Sequence, residues 1–128
     1  SGMKDQLNVM SKFLNMGMPL DDVVLRSTWN PARIIHREQL GHLSVGAIAD
    51  LAVLRVEKGQ FAFVDSWGAR MDGAQRLVGE LTVASGRVVY DLNGITRDRW
   101  DRLGNYQPQG EPFWDGTRGG GRPRPLRR

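Results

Sequence analysis

Ser27-Thr28-Trp29-Asn30-Pro31-Ala32-Arg33-Ile34-Ile35 and Gly41-His42-Leu43-Ser44-Val45-Gly46-Ala47-Ile48-Ala49-Asp50-Leu51-Ala52-Val53-Leu54 are the two stretches whose reading decides the fold. The first reads as a helix start. Asn30 is a good N-cap, and Pro31 at the first helical position loses only an N–H that would be unpaired anyway. The second reads as a glycine-punctuated turn feeding a buried strand that begins just after Asp50. The switch from helical to strand pattern between them predicts an α+β chain, helical before and β-rich after.

Working outward, Leu7, Met10, Phe13 and Leu14 recur at helical spacing and predict a helix over residues 4–16, stopped by Gly17 in the left-handed conformation. A second helix is expected over 20–27, with Leu20, Val23 and Val24 on its apolar side. Asp21 and Asp22 lie in its first turn, where acidic side chains complement the helix dipole. A short third helix runs from Pro31 to Ile35. Met10, Met16 and Met18 are read as flexible core filling. After Ala49 the period changes. Strands are expected over 51–56, 61–65, 76–84 and 87–90, with Glu57-Lys58-Gly59-Gln60 as a turn and Ala84-Ser85-Gly86 closing a tight hairpin. Gly46 and Gly86 are expected to be turn glycines with positive φ.

The residues that usually carry hydrolytic chemistry are scarce. A catalytic zinc site needs about three His, Cys or carboxylate ligands, and this sequence has no cysteine and only His36 and His42. These two lack the i, i+4 spacing that places ligands on one helix face, and are read as exposed or capping histidines near a helix end. No Gly-x-Ser-x-Gly elbow is present, and no Cys can pair with a His. No metal-ligand set and no catalytic residue is therefore assigned.

At 128 residues, 40% apolar and 25% charged, the chain has the length and composition of one globular domain. No apolar run approaches the roughly 18 residues of a membrane span, and no signal segment opens the chain. A cytoplasmic protein without membrane contact is the expectation. Ser1-Gly2 reads either as a cloning remnant or as native sequence. Charge is uneven. Residues 1–92 hold ten Lys/Arg and ten Asp/Glu, whereas 93–128 hold eight Arg against four Asp/Glu, so the formal +4 belongs to the tail. That tail is rich in Gly and Pro and is expected to be disordered from about Thr117. Counterion release would let a Gly/Arg/Pro end bind phosphate backbones. No aromatic is interleaved with the final arginines to stack on bases, so nucleic acid is not the expected partner.

The two opening stretches, in this order, resemble the T-x-N-P-A-R and G-x-[IL]-x-x-G-x-x-A-D-[LI] phrases near the C-terminus of metal-dependent amidohydrolases. Gly2-Met3-Lys4-Asp5-Gln6-Leu7-Asn8-Val9-Met10-Ser11-Lys12-Phe13-Leu14 and Phe63-Val64-Asp65-Ser66-Trp67-Gly68-Ala69-Arg70 also look like the branch similar to dihydroorotase and N-acyl amino acid deacetylases. The resemblance implies a (β/α)8 barrel holding divalent metal, usually zinc. In it an H-x-H pair, a carboxylated lysine, further histidines and an aspartate hold a metal-bound hydroxide that attacks an amide carbonyl. It further implies that this chain supplies the last helices of the barrel (residues 1–40), the C-terminal strands of a small composite β-domain (41–96), and a tail (97–128). The metal ligands would lie upstream, so the chain alone is expected to be inactive and to carry no cofactor. An N-acyl small molecule is the substrate implied for the intact enzyme. Met3 and Lys4, near the barrel mouth, are the positions expected beside that substrate. Asn30, Pro31, Gly46, Asp50 and Gly86 are assigned structural roles. Helices deprived of a barrel and strands deprived of partner strands predict self-association. The other reading is a free-standing, non-enzymatic binding or oligomerisation module with a basic tail.

Overall fold

The computed structural model describes residues 2–102, and the expectation of disorder from Thr117 lies outside them. The first compact unit ends at Ile95. It contains helices α1 (Gln6–Asn15), α2 (Leu20–Ser27) and α3 (Trp29–Ile34), then strands β1 (Leu51–Val64), β2 (Arg70–Ala84) and β3 (Arg87–Asp91). The strands form an antiparallel sheet in the order β1-β2-β3. Residues 96–102 belong to the second unit and include a turn in which the Arg102 N–H donates to the Arg99 carbonyl. Among the described residues no helix is long and apolar enough to cross a membrane.

Local chemistry sets the helix ends. Asp5, not Lys4, starts α1, because its carboxylate accepts the Asn8 N–H at 2.7 Å. At the other end Gly17 has φ 97°, and Met18 and Gly17 donate back to Phe13 and Leu14, which satisfies carbonyls the helix would otherwise leave open. Helix α2 spans the residues its sequence predicts. Helix α3 starts earlier than expected. Thr28 occupies its N-cap without a side-chain bond, so Asn30 lies inside the helix and is not its cap. Pro31 is consequently the third helical residue. It is tolerated there because the first four N–H groups of any helix have no intrahelical acceptor.

The expected turn at Glu57-Lys58-Gly59-Gln60 is instead an irregularity inside one continuous strand. Lys58 pairs with Gln75 and Phe61 with Gly73, so two residues of β1 bulge opposite Ala74 alone. Strand β2 correspondingly begins at Arg70, and among the described residues the sheet has three strands rather than four. The expected β2–β3 hairpin is present: Ser85 and Gly86, with φ 48° and 76°, both take the left-handed conformation that a two-residue turn needs to match strand twist. Asp50 braces this turn, accepting the Ser85 N–H at 2.6 Å, while Gly86 donates to the Ala49 carbonyl.

One face of the sheet carries the core. Met10 and Leu14 of α1, Val23 of α2 and Leu77 of β2 form its buried cluster, with Leu7, Met18, Leu54 and Val56 packed around it. Met10 and Met18 thus sit in or against the core, whereas Met16 is exposed. Helix α1 also lies along the edge of β2 that β3 leaves uncovered. Ser11 Oγ accepts the Leu77 N–H at 2.8 Å, Asn15 Nδ2 donates to the Gln75 carbonyl at 2.7 Å, and Asn15 Oδ1 accepts the bulge-freed Ala74 N–H at 3.0 Å. That stretch of β2 is therefore paired by side chains and not by a further strand.

Candidate functional site

The positions expected beside substrate lie where the N-terminal segment meets the β1–β2 turn. Gly2 is buried, and a Cβ added to it would lie 2.5 Å from the Asp65 carbonyl carbon and 2.6 Å from the Ser66 nitrogen. Only glycine lets the two backbones approach this closely. Lys12, reaching out from α1, donates to the Gly2 carbonyl and, at 2.7 Å, to the Val64 carbonyl. The turn it anchors is built on Asp65, whose Oδ1 accepts the Trp67 and Ala69 N–H groups, each at 2.8 Å. Beside this fastening Met3 and Lys4 remain exposed on the one side and Trp67, at 95% exposure, on the other. The exposed side chains of Met3, Lys4 and Trp67 offer apolar contact and a cation.

The two histidines are kept apart in role. His36, with φ 55°, is the left-handed residue that ends α3; its N–H donates to the Arg33 carbonyl, and the next N–H, of Arg37, to that of Ala32. His42 is half-buried, accepts the Ser44 N–H on Nδ1, and meets the Trp29 ring edge-on at 5.8 Å. Among the described residues no three His, Cys, Asp or Glu side chains converge as a metal group would require. Asn30 is half-buried and Pro31 exposed, both in the first turn of α3, while Gly46 has φ 90° in the loop before β1. With Asp50 and Gly86 at the hairpin, these five lie in three separate places.

Two grooves beside α1 offer no alternative centre. One of about 320 Å³ between α1 and α2 is lined by apolar residues such as Val9, Phe13, Met18 and Val23. Another of about 550 Å³ between α1 and β2 includes Asn8, Phe63 and Arg76. Asn8 Oδ1 is buried there without a hydrogen-bond partner, and neither groove joins a nucleophile to a base.

Charge concentrates on the side of the sheet away from the core. Glu57 sits between Arg76 at 2.5 Å and Arg55 at 3.5 Å, Arg55 reaches Glu80 at 3.4 Å, and Arg76 stacks over the Phe61 ring at 4.7 Å. The hydrogen bond from Arg76, aided by the positive charge of both arginines, holds the Glu57 carboxyl below its ordinary 4.5 despite an opposing desolvation. Lys12, Ser11 and Asn15, which organise the contact between α1, the N-terminal segment and the strands, were not singled out by sequence reasoning. The available signal was two polar residues, Ser11 and Asn15, four apart and flanking the apolar positions of α1.

The Amidohydrolase family matches this chain over residues 2–81. Among solved structures, that of an adenine deaminase superposes with a TM-score of 0.67 at 24% identity, covering 71% of this chain and 24% of the deaminase. A dihydroorotase superposes with a TM-score of 0.60 at 27% identity, covering 66% of this chain and 23% of the dihydroorotase. The chain thus spans about a quarter of the length of either structure. No curated protein matches it.

Proposed function

Because the chain belongs to the Amidohydrolase family, we propose that it is the C-terminal part of a metal-dependent hydrolase of C–N bonds, similar to N-acyl amino acid deacetylases. The observation that carries this reading is the extent of the match. It runs through α1–α3, β1 and most of β2, while the chain covers only about a quarter of a dihydroorotase or an adenine deaminase. In this reading α1–α3 belong to the end of a barrel and the sheet to a small composite β-domain. The family generally works with a divalent metal. The described residues do not fit one, since no group of three His, Cys, Asp or Glu side chains converges among them and the His42 ring is engaged by Ser44 and Trp29. No step through a metal is therefore assigned to this chain.

What these residues do in the proposed enzyme is position. Lys12 and Gly2 hold the segment bearing Met3 and Lys4 against the β1–β2 turn, so those two side chains would meet an N-acyl substrate from a fixed backbone. The burial pattern is consistent with a missing neighbour. Leu43 at 79% exposure, Ile34 at 77% and Val45 at 108% are large apolar side chains left in water around α3 and the following loop. The direct test is to translate the DNA upstream of the codon for Ser1. An in-frame barrel strand carrying H-x-H is expected. A stop codon followed by a start at Ser1–Met3 would overturn the proposal and favour the free-standing module.

A further inference from the structure

The side-chain bonds from α1 reveal which way the neighbouring strand faces, and from that an interaction surface follows. Leu77 gives its N–H, and Gln75 its carbonyl, away from β1 to Ser11 and Asn15. In an antiparallel pair, residues directly opposite each other either exchange both backbone bonds or direct both away from one another. Leu77 is opposite Val56, Gln75 opposite Lys58 and Gly79 opposite Leu54. Leu54, Val56 and Lys58 therefore direct their own N–H and C=O groups outward, toward the far side of β1. Among the described residues no strand lies there, since β1 is the edge of the sheet.

This outward row is bounded by the two irregularities of β1, between Val53 and Leu54 and between Lys58 and Phe61, so the regular stretch is 54–58 and its centre is Val56. We infer that two copies of this chain pair antiparallel along β1 about a twofold axis at Val56. In that register Val56 exchanges backbone bonds with the partner's Val56, and Leu54 with the partner's Lys58. The three bonded pairs give about six hydrogen bonds. Between them lie the closely spaced non-bonded pairs, and these set Arg55 opposite the partner's Glu57 and Glu57 opposite the partner's Arg55. Opposite charges directly across an antiparallel pair stabilise it, and like charges oppose it. Arg55 and Glu57 are 48% and 31% exposed and lie on the charged side of the sheet, so the pairing extends their network without unpacking the core. Sliding the partner by two residues loses this reciprocal match, and sliding by one turns the charged side toward the core side.

The test is a charge exchange read by size-exclusion chromatography with light scattering over a range of concentrations. The wild-type chain is expected to move from 14.3 kDa toward twice that mass as concentration rises. Arg55→Glu alone and Glu57→Arg alone each set like charges across the axis and are expected to stay monomeric. An equimolar mixture of the two is expected to recover the doubled mass, because each chain then meets its opposite, and that recovery also shows both variants to be folded. Lys58→Pro removes an outward N–H and is expected to weaken the dimer independently. A wild-type monomer at every concentration would overturn the inference. So would a dimer that both single variants retain, or a mixture that does not recover.

Discussion

Ser11 Oγ accepts the Leu77 N–H at 2.8 Å across 66 residues of sequence, and donates in turn to the Leu7 carbonyl at 2.6 Å. With Ser11 at 1% exposure, one hydroxyl ties α1 to an edge of the sheet that would otherwise be buried without a partner. Ser11→Ala leaves the Leu77 N–H buried and unsatisfied, and is expected to cost about 1–3 kcal/mol. Urea unfolding measures this directly. A loss within experimental error of zero would show that water or a shifted side chain replaces the hydroxyl.

Asn15 carries three bonds, to Ser11, Gln75 and Ala74. Asn15→Leu keeps the volume and removes them all, so Ala74, opposite the Gly59–Gln60 bulge, loses its brace. Faster amide exchange confined to Ala74 and its neighbours is the expected signature, with stability lowered by about 1–3 kcal/mol. Unchanged exchange at Ala74 would contradict the assignment.

These two contacts also mark what the sequence reveals and what it hides. The end of α1 at Gly17, the span of α2 and the Ser85–Gly86 hairpin were legible because each depends on residues within one turn of chain. The bulge was not. Gly59 punctuates a polar stretch as a turn glycine would, and only pairing with β2, distant in sequence, keeps the strand running through it. Asn30 is a good cap in isolation, yet the helix had already begun at Trp29 beneath Thr28. Lys12 and Ser11 read as ordinary residues of an amphipathic helix because their acceptors and donors lie 52 and 66 positions away. For the candidate site, the family phrases directed attention to the segment at Met3 and Lys4, but nothing local to it disclosed the Lys12 fastening.

Two glycines separate conformational strain from steric conflict. Gly41 and Gly46 have φ of 75° and 90°. A Cβ at Gly41 would lie 2.7 Å from the Thr28 carbonyl oxygen, whereas at Gly46 it meets nothing within 4 Å. Gly46→Ala is expected to cost about 1–2 kcal/mol for the left-handed backbone alone, and Gly41→Ala more. Thermal melts of the two variants compare them, and equal losses would show that the α2–α3 junction yields to accommodate the methyl.

Glu57 gives the pH dependence a sign. Its folded-state carboxyl titrates below 4.5, so its contribution is present above that value and is lost as pH falls through the lowered one. Urea titrations from neutral pH to below 4.5 should therefore show a steeper acid loss for the wild type than for Glu57→Gln. The difference should shrink in high salt, because the group is exposed and screened. The same slope in both proteins would remove Glu57 from the account.

We propose that this chain supplies position but not catalysis to a C–N hydrolase. It is tested most directly by following acetate release from N-acetyl amino acids with two purified proteins, the 128-residue chain and the same chain extended upstream to include the expected H-x-H strand, each supplied with zinc. Turnover by the extended protein and none above the buffer rate by the shorter one is the expected result. Hydrolysis by the 128-residue chain alone, surviving extensive purification and abolished by a point change within it, would contradict the claim.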